Sequence, residues 1–169
     1  VGHTPVHHDI PVGNTPLVEL KQLSPRPGVR LFAKLEGQNP TGSIKDRIVV
    51  RILASARRSG ALSPGQPIVE ASTGNTGVAL AMFGRRAGHP VTVCVPESVY
   101  PEIEQLLTVY GATIRRVPRQ AGIKSALEVA RQIVAETGAY LLNQFGTPEN
   151  IAAHYEGTGP EILADLPQV

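Results

Sequence analysis

The stretch "PIVEASTGNTGVALAMFGRRAG", residues 67–88, changes character part-way along. It opens on a short apolar run, "PIVEA", of strand type. It then passes through "STGNTG" into a segment with helical spacing. The same succession recurs downstream. Apolar runs "VTVCV" from 91, "TIRRV" from 113 and "YLLNQF" from 140 alternate with helical segments "YPEIEQLLTVYGA" and "GIKSALEVARQIVAETGA". In the last of these Ile123, Leu127, Ala130 and Val134 fall on one face, and Gly138 is the expected stop. Helices between successive strands predict right-handed βαβ units and a parallel sheet, hence an α/β, doubly wound architecture.

In open parallel sheets ligands sit beyond the carboxyl ends of the strands. Two loops qualify, "ASTGNTG" after the 67 strand and "NQFGTPEN" after the 140 strand. The first places Ser72, Thr73, Gly74, Asn75 and Thr76 at a helix N-terminus, where free amides and the helix dipole favour a carboxylate or phosphate. A well-capped βα turn would use the same residue types.

Upstream, "GQNPTGSIKDR" (37–47) brings a lysine to the start of another helix, which continues as "RIVVRILASARRSG". Asn39-Pro40 and Thr41-Gly42 are turn residues, and Ser43 with Asp46 three positions on reads as a capping box with Ser43 as N-cap. Lys45 then falls in the first helical turn. A cation is disfavoured there by about 0.3–1 kcal/mol when exposed, and the same field favours the neutral amine that a nucleophilic lysine requires. A surface lysine tolerating that small cost is the alternative.

Further towards the N-terminus, "PLVELKQL" and "VRLFAKLE" are strand-like runs around "SPRPG" and predict a ribbon outside the parallel sheet. The composition of the 169 residues is that of a globular chain: 41% hydrophobic and 18% charged, with a core resting on Val, Ile, Leu and Ala because aromatics are only 4%. A net charge of +2, with basic residues in scattered pairs (Arg57-Arg58, Arg85-Arg86, Arg115-Arg116), gives no case for nucleic acid. The single cysteine, Cys94, excludes an internal disulfide and lies in an apolar run, so it reads as core. No run approaches the roughly 18 apolar residues of a membrane span, and "VGHTPVHHDI" has no secretory pattern, so the cytoplasm is the expected compartment. His3, His7 and His8 with Asp9 read as a polar tail in preference to a metal cluster.

Taken in order, "NPTGSIKDR", "EASTGNTG" and "NQFGTPEN…HYEGTGPEI" resemble the fold-type II pyridoxal-phosphate enzymes of the cysteine synthase family, from "VGNTPLVEL" to the last residue. "HYEGTGPEILADLP" looks closest to the branch that accepts O-phosphoserine and a sulfur-carrier thiocarboxylate. The resemblance implies pyridoxal phosphate as cofactor. It makes Lys45 the lysine that holds the cofactor covalently and later takes the substrate Cα proton. Asn75 would bond the cofactor's 3′-oxygen, and Ser72, Thr73, Thr76 and Gln144 would hold the substrate α-carboxylate. The implied activity is β-replacement, giving L-cysteine from O-acetylserine or O-phosphoserine and a sulfide or thiocarboxylate donor. A cystathionine β-synthase, a diaminopropionate synthase or a non-catalytic interaction domain are the alternatives.

The implied organisation is a polar tail over 1–11, a ribbon of the larger domain over 12–38, a small lysine-bearing α/β domain over 39–148 and the start of the larger domain over 149–169. The family's Gly/Thr-rich phosphate loop and its Ser or Thr at the pyridine nitrogen do not occur within 1–169. "GTG" at 157–159 precedes a helix beginning at Pro160 and reads as a helix entry. The chain therefore looks like most of the lysine-bearing half, expected not to be a competent enzyme by itself, with ribbon strands short of partners. The family's basic pair after the "PE" loop is replaced by "PESVYPEIEQLL". A homodimer when full length, an amino-acid substrate and a sulfur-carrier protein are the implied partners.

Overall fold

The computed structural model describes residues 10–118 and 122–169. The candidate metal cluster, His3, His7, His8 and Asp9, lies outside them. The expected ribbon forms, but it is shorter than the sequence suggests, and among the described residues its two strands pair only with each other. β1 (Leu17–Glu19) pairs antiparallel with β2 (Phe32–Lys34), Val18 facing Ala33. Lys21–Leu23 coils into a 3-10 turn. Pro25 and Pro27, which lack amide donors, follow directly and prevent the ladder from continuing to the tip.

Helix α1 (Lys45–Ser59) buries one stripe, Ile48, Val49, Ile52, Leu53 and Ala56. Each large member contributes roughly 1.5–3 kcal/mol by leaving water. The stripe meets a four-stranded sheet made of β3 (Ile68–Ala71), β4 (Val91–Pro96), β5 (Thr113–Val117) and β6 (Tyr140–Leu141). The strand order is β5-β4-β3-β6 and every pairing is parallel. α2 (Asn75–Arg86) and α3 (Pro101–Val109) share with α1 the apolar layer that covers Ile68, Val91, Val93 and Val95. α4 (Gly122–Thr137) covers the opposite face, over Val69, Ala71, Cys94 and Val117. The chain moves outward from β3 to β5 and then jumps back to place β6 beside β3. That reversal puts α4 on the other face, as right-handed crossovers require, and makes the sheet doubly wound.

Two details differ from the sequence reading. In α4 the buried positions are Ala126 and Ala130, with Leu127, Ile133 and Val134 packed beside them, while Ile123 is exposed. And β6 has two residues where a longer run was expected. The amide of Leu142 still donates to Val69 (3.1 Å), but Asn143 turns to a left-handed φ of 55° and the strand ends.

Downstream, α5 (Pro148–Ala153), a π-helical turn over His154–Thr158 and α6 (Gly159–Asp165) run on without interruption. "GTG" lies inside this helical run, with Gly159 already helical, so the entry is not at Pro160. Cys94 is fully buried, and burial pushes its thiol up to about 11. No helix among the described residues is long and apolar enough to cross a membrane.

Candidate functional site

The doubly wound order opens a crevice beyond the carboxyl ends of β3 and β6, where their following loops part in opposite directions. That crevice is a cleft of about 270 Å³, lined by Lys45, Ser72, Thr73, Gly74, Asn75, Thr76, Ile123, Gln144 and Phe145. All six residues singled out from the sequence, Lys45, Ser72, Thr73, Asn75, Thr76 and Gln144, meet there from three distant segments.

Lys45 is the first residue of α1, and the turn before it is tied down from several sides. The Gly42 amide donates to the Asn39 carbonyl (2.8 Å), at a φ of 86° that suits glycine. The capping box differs from the expectation. Ile44, with helical backbone angles, precedes the helix, and Ser43 Oγ accepts from the Lys45 amide (3.2 Å). Asp46 reaches past Ser43 to accept from the amide (2.7 Å) and the hydroxyl of Thr41. The Pro40-Thr41-Gly42 turn brings Thr41, not Ser43, back over the helix start. Asp46 is fully buried, and burial pushes its carboxyl above the usual range against those hydrogen bonds. Among the described residues the Lys45 amine forms no ion pair, so it is available to a ligand in the cleft.

At the start of α2 the loop is shaped by Ser72. Its Oγ accepts from the amides of Gly74 (3.2 Å) and Gly77 (3.0 Å), so this hydroxyl is committed to the loop itself. Thr73 and Asn75 are exposed in the cleft, and the first amides of α2 have no intrahelical acceptor. Thr76 is buried and donates to Gln144 Oε1 (2.7 Å). Gln144 in turn donates to the Ala71 carbonyl (3.4 Å), and Asn150 donates to the Gln144 carbonyl (2.9 Å). A half-buried amine thus faces a helix N-terminus bearing hydroxyl and amide donors, a set that can hold an anion beside a nucleophile or base.

Four residues of this region escaped the sequence reading. Ile123 and Phe145 wall the cleft as exposed apolar side chains. His154, in the π turn, bonds Thr158 Oγ1 through Nδ1 (3.0 Å). Burial, reinforced by the nearby charges of Lys45 and Arg47, holds its imidazole below the ordinary value. Glu70, on β3, is 1% exposed, and burial pushes its carboxyl up to about 7. A π turn is a frequent mark of functional sites but has no signature in sequence.

A second cleft, about 460 Å³, lies between α1 and the C-terminal helical run. Although larger, it is the weaker candidate. Two of the three arginines that line it are already paired, Arg47 with Glu36 and Glu161, and Arg51 with Glu149 and Glu156.

A parallel sheet with an amine and a helix N-terminus together at its topological switch point places the domain in the class of α/β folds whose ligand sites lie at that point. The chain belongs to the family described as pyridoxal-phosphate dependent enzyme, whose profile matches residues 9–169. It is 38% identical over 151 residues to cysteine synthase B of Escherichia coli (strain K12), covering 89% of this chain and 50% of the relative. It is 41% identical over 156 residues to the O-acetylserine dependent cystathionine beta-synthase of Bacillus subtilis (strain 168), covering 92% and 51%. Among solved structures, the cysteine synthase of Entamoeba histolytica superposes with a TM-score of 0.86 at 34% identity, over 98% of this chain and 51% of that one. The chain spans about half the length of these relatives.

The residues present fit the family's cofactor. Among the described residues the Lys45 amine has no ion pair, Asn75 is exposed in the cleft, and the first amides of α2 have no intrahelical acceptor, which is the chemistry an aldehyde-bearing anionic group would need.

Proposed function

We propose that this chain is the lysine-bearing part of a β-replacing enzyme that makes L-cysteine from O-acetylserine or O-phosphoserine and a sulfide or thiocarboxylate donor. The observation that carries the reading is the convergence of Lys45, the 72–76 loop and Gln144 on one cleft. Pyridoxal phosphate, when bound, supplies the electron sink that makes loss of a Cα proton feasible. The protein's own share is positional. Lys45 holds the cofactor and then takes the Cα proton on its amine. Thr73, Thr76 and Gln144 bind the substrate carboxylate at the helix start, with Ser72 keeping the loop in shape. Asn75 fixes the ring by its 3′-oxygen. Ile123 and Phe145 exclude water from one side of the cleft.

The partners that go with this reading are an amino-acid substrate, a sulfur-carrier protein and a second copy in a homodimer, in the cytoplasm. The matching division of the chain is the ribbon over 12–38, the small domain over 39–148 and the opening of a larger domain from 149. The 41% identity to an O-acetylserine dependent cystathionine beta-synthase supports a second reading, in which homocysteine is the nucleophile.

The test is to incubate the chain with pyridoxal phosphate, reduce with borohydride and map the adduct by mass spectrometry. Labelling of Lys45, lost in Lys45→Ala, is expected. Labelling of other lysines with Lys45 untouched overturns the assignment. Sulfide against homocysteine in a full-length polypeptide carrying this segment separates the two readings.

A further inference from the structure

β3 is one of the two inner strands of the sheet, and its third residue is a glutamate with 1% exposure. A carboxyl group in such a place needs partners, and Glu70 has them on one side only. Its Oε2 accepts from the Asn143 amide at 2.6 Å, whereas Oε1 is buried with no hydrogen-bond partner among the described residues. Asn143 begins the tight turn after β6, with its left-handed φ of 55° and its carbonyl accepting from the Gly146 amide (3.0 Å). The next residue is Gln144, which takes the Thr76 hydroxyl in the cleft at 2.7 Å. A short chain of bonds thus joins a buried acid to a cleft-lining amide.

We propose that Glu70 is a positioning residue: through the Asn143 amide its carboxylate seats the 143–146 turn, and so sets where Gln144 stands against Thr76, more firmly when ionised than when protonated. The physical basis is that an amide donates a stronger bond to a charged acceptor than to a neutral one. Proton uptake falls naturally on Oε1, which has nothing to lose, and leaves Oε2 as a neutral acceptor.

The surroundings leave this equilibrium to burial and to the turn. Burial raises the carboxyl to about 7 and the bond from the Asn143 amide opposes it; nearby N–H groups of Gln144 and Ala71 also favour the charged form, but none of them reaches Oε1 in hydrogen-bond geometry. On the flanking strands the titratable neighbours are Cys94 of β4 and Tyr140 of β6, both of which feel the Glu70 charge. From α5, Glu149 acts on Tyr140 and is itself bonded to Arg51 of α1. The charged residues of α2 (Arg85, Arg86) and of α4 (Lys124, Glu128, Arg131, Glu136) are exposed. Glu70 is therefore a buried carboxyl tied to Asn143 by one bond and, through that covalent neighbour, to Gln144.

Why Gln144 matters to ligands rests on the proposed function, but its seating does not, and the experiment is made on the ligand-free chain. The amide resonances of Asn143 and Gln144, the side-chain NH₂ of Gln144 and the carboxyl carbon of Glu70 are followed by NMR between about pH 5 and about pH 9, the range in which a carboxyl near 7 changes charge. A single midpoint near 7 shared by all four signals is expected, with the Asn143 proton moving downfield on ionisation. In Glu70→Gln the backbone and Gln144 side-chain signals lose that titration, and in Glu70→Asp they regain one. Midpoints at Asn143 or Gln144 that differ from that of the Glu70 carboxyl overturn the proposal, as does an unchanged titration in Glu70→Gln. If Glu70→Gln does not fold, the shared midpoint in the unaltered chain still decides.

Discussion

Thr73 and Thr76 are three residues apart in one loop and chemically alike, yet their surroundings separate what each does. Thr73 is exposed, whereas Thr76 is 4% exposed with its hydroxyl on Gln144 Oε1. Thr73→Ala should leave stability within about 0.5 kcal/mol. Thr76→Ala leaves a buried amide oxygen without its donor and should cost about 1–3 kcal/mol. In a cofactor-loaded full-length polypeptide both should weaken amino-acid binding by roughly ten- to a hundred-fold, the worth of a hydrogen bond to a charged group. Urea denaturation gives the first quantity and ligand titration the second. Equal stability of the two variants would mean that the Thr76–Gln144 bond does not hold the cleft wall. Lys45, Ser72, Thr73, Asn75, Thr76 and Gln144 were legible because "NPTGSIKDR", "EASTGNTG" and "NQFGTPEN" together resemble the motifs of one family, whereas the polar types of the 72–76 loop alone fit a well-capped βα turn equally well. Glu70 was not, since a glutamate inside "PIVEA" reads as an exposed position on a strand until the sheet closes over it.

Helix α2 lies close against β4 because its contact positions carry no side chain. A methyl group on Gly77 would stand 2.9 Å from Val93 Cγ1 and 3.2 Å from Ser72 Cβ, and one on Gly84 would stand 2.7 Å from Val91 Cγ2. Val93 is fully buried and β-branched, so it has little freedom to yield. Gly77→Ala gains about 1 kcal/mol of helix propensity but forces an overpacked contact worth about 1–3 kcal/mol, and the net result should be a loss of up to about 2 kcal/mol. Adding Val93→Ala removes the obstructing methyl, so the double variant should be less destabilised than the two singles summed. Calorimetric melting of the four proteins checks this, and simple additivity would show that the clash is relieved elsewhere.

At this scale the sequence was a good guide to β3 and β4, whose apolar runs are what strands covered on both faces require, and β5 forms as expected at the sheet edge with Thr113, Arg115 and Arg116 exposed. It was a poorer guide at the periphery. β6 stops where Asn143 turns away, the ribbon strands stop short of their prolines, and Asp46 at the start of α1 takes its bonds from Thr41 and not from Ser43. Each of these is decided by a contact between segments or by a backbone angle, neither of which periodicity records.

The ends of the molecule are joined by one guanidinium. Arg47 of α1 makes paired bonds to Glu36, just after β2 (2.7 Å each), and to Glu161 of α6 (2.7 Å each), while Lys34 of β2 reaches Glu161 at 2.9 Å. Two acids and two bases balance, and Thr15 completes the set by donating to Glu36 (2.6 Å). The network sits two residues from Lys45, so the ribbon and the last helix both bear on the helix that presents the lysine. Removing the arginine alone leaves carboxylates that are largely out of water, and Arg47→Ala should cost about 3–5 kcal/mol.

The pH dependence of that cost identifies its origin. Burial raises the Glu36 carboxyl, but bonds from Arg47, Thr15 and Asn39 outweigh it and bring it down to about 2. The Arg47 bonds likewise bring Glu161 to about 2. Both folded values lie below the ordinary 4.5, so the stabilisation is fully present above about 4.5 and is lost as pH falls through about 2. Urea midpoints measured down this range should fall steeply for the unaltered chain. They should fall less for Arg47→Ala, whose glutamates no longer have a reason to stay ionised, and the gap should narrow towards the acid end. A gap that stays constant with pH would assign the loss to packing of the arginine stem and not to its charge.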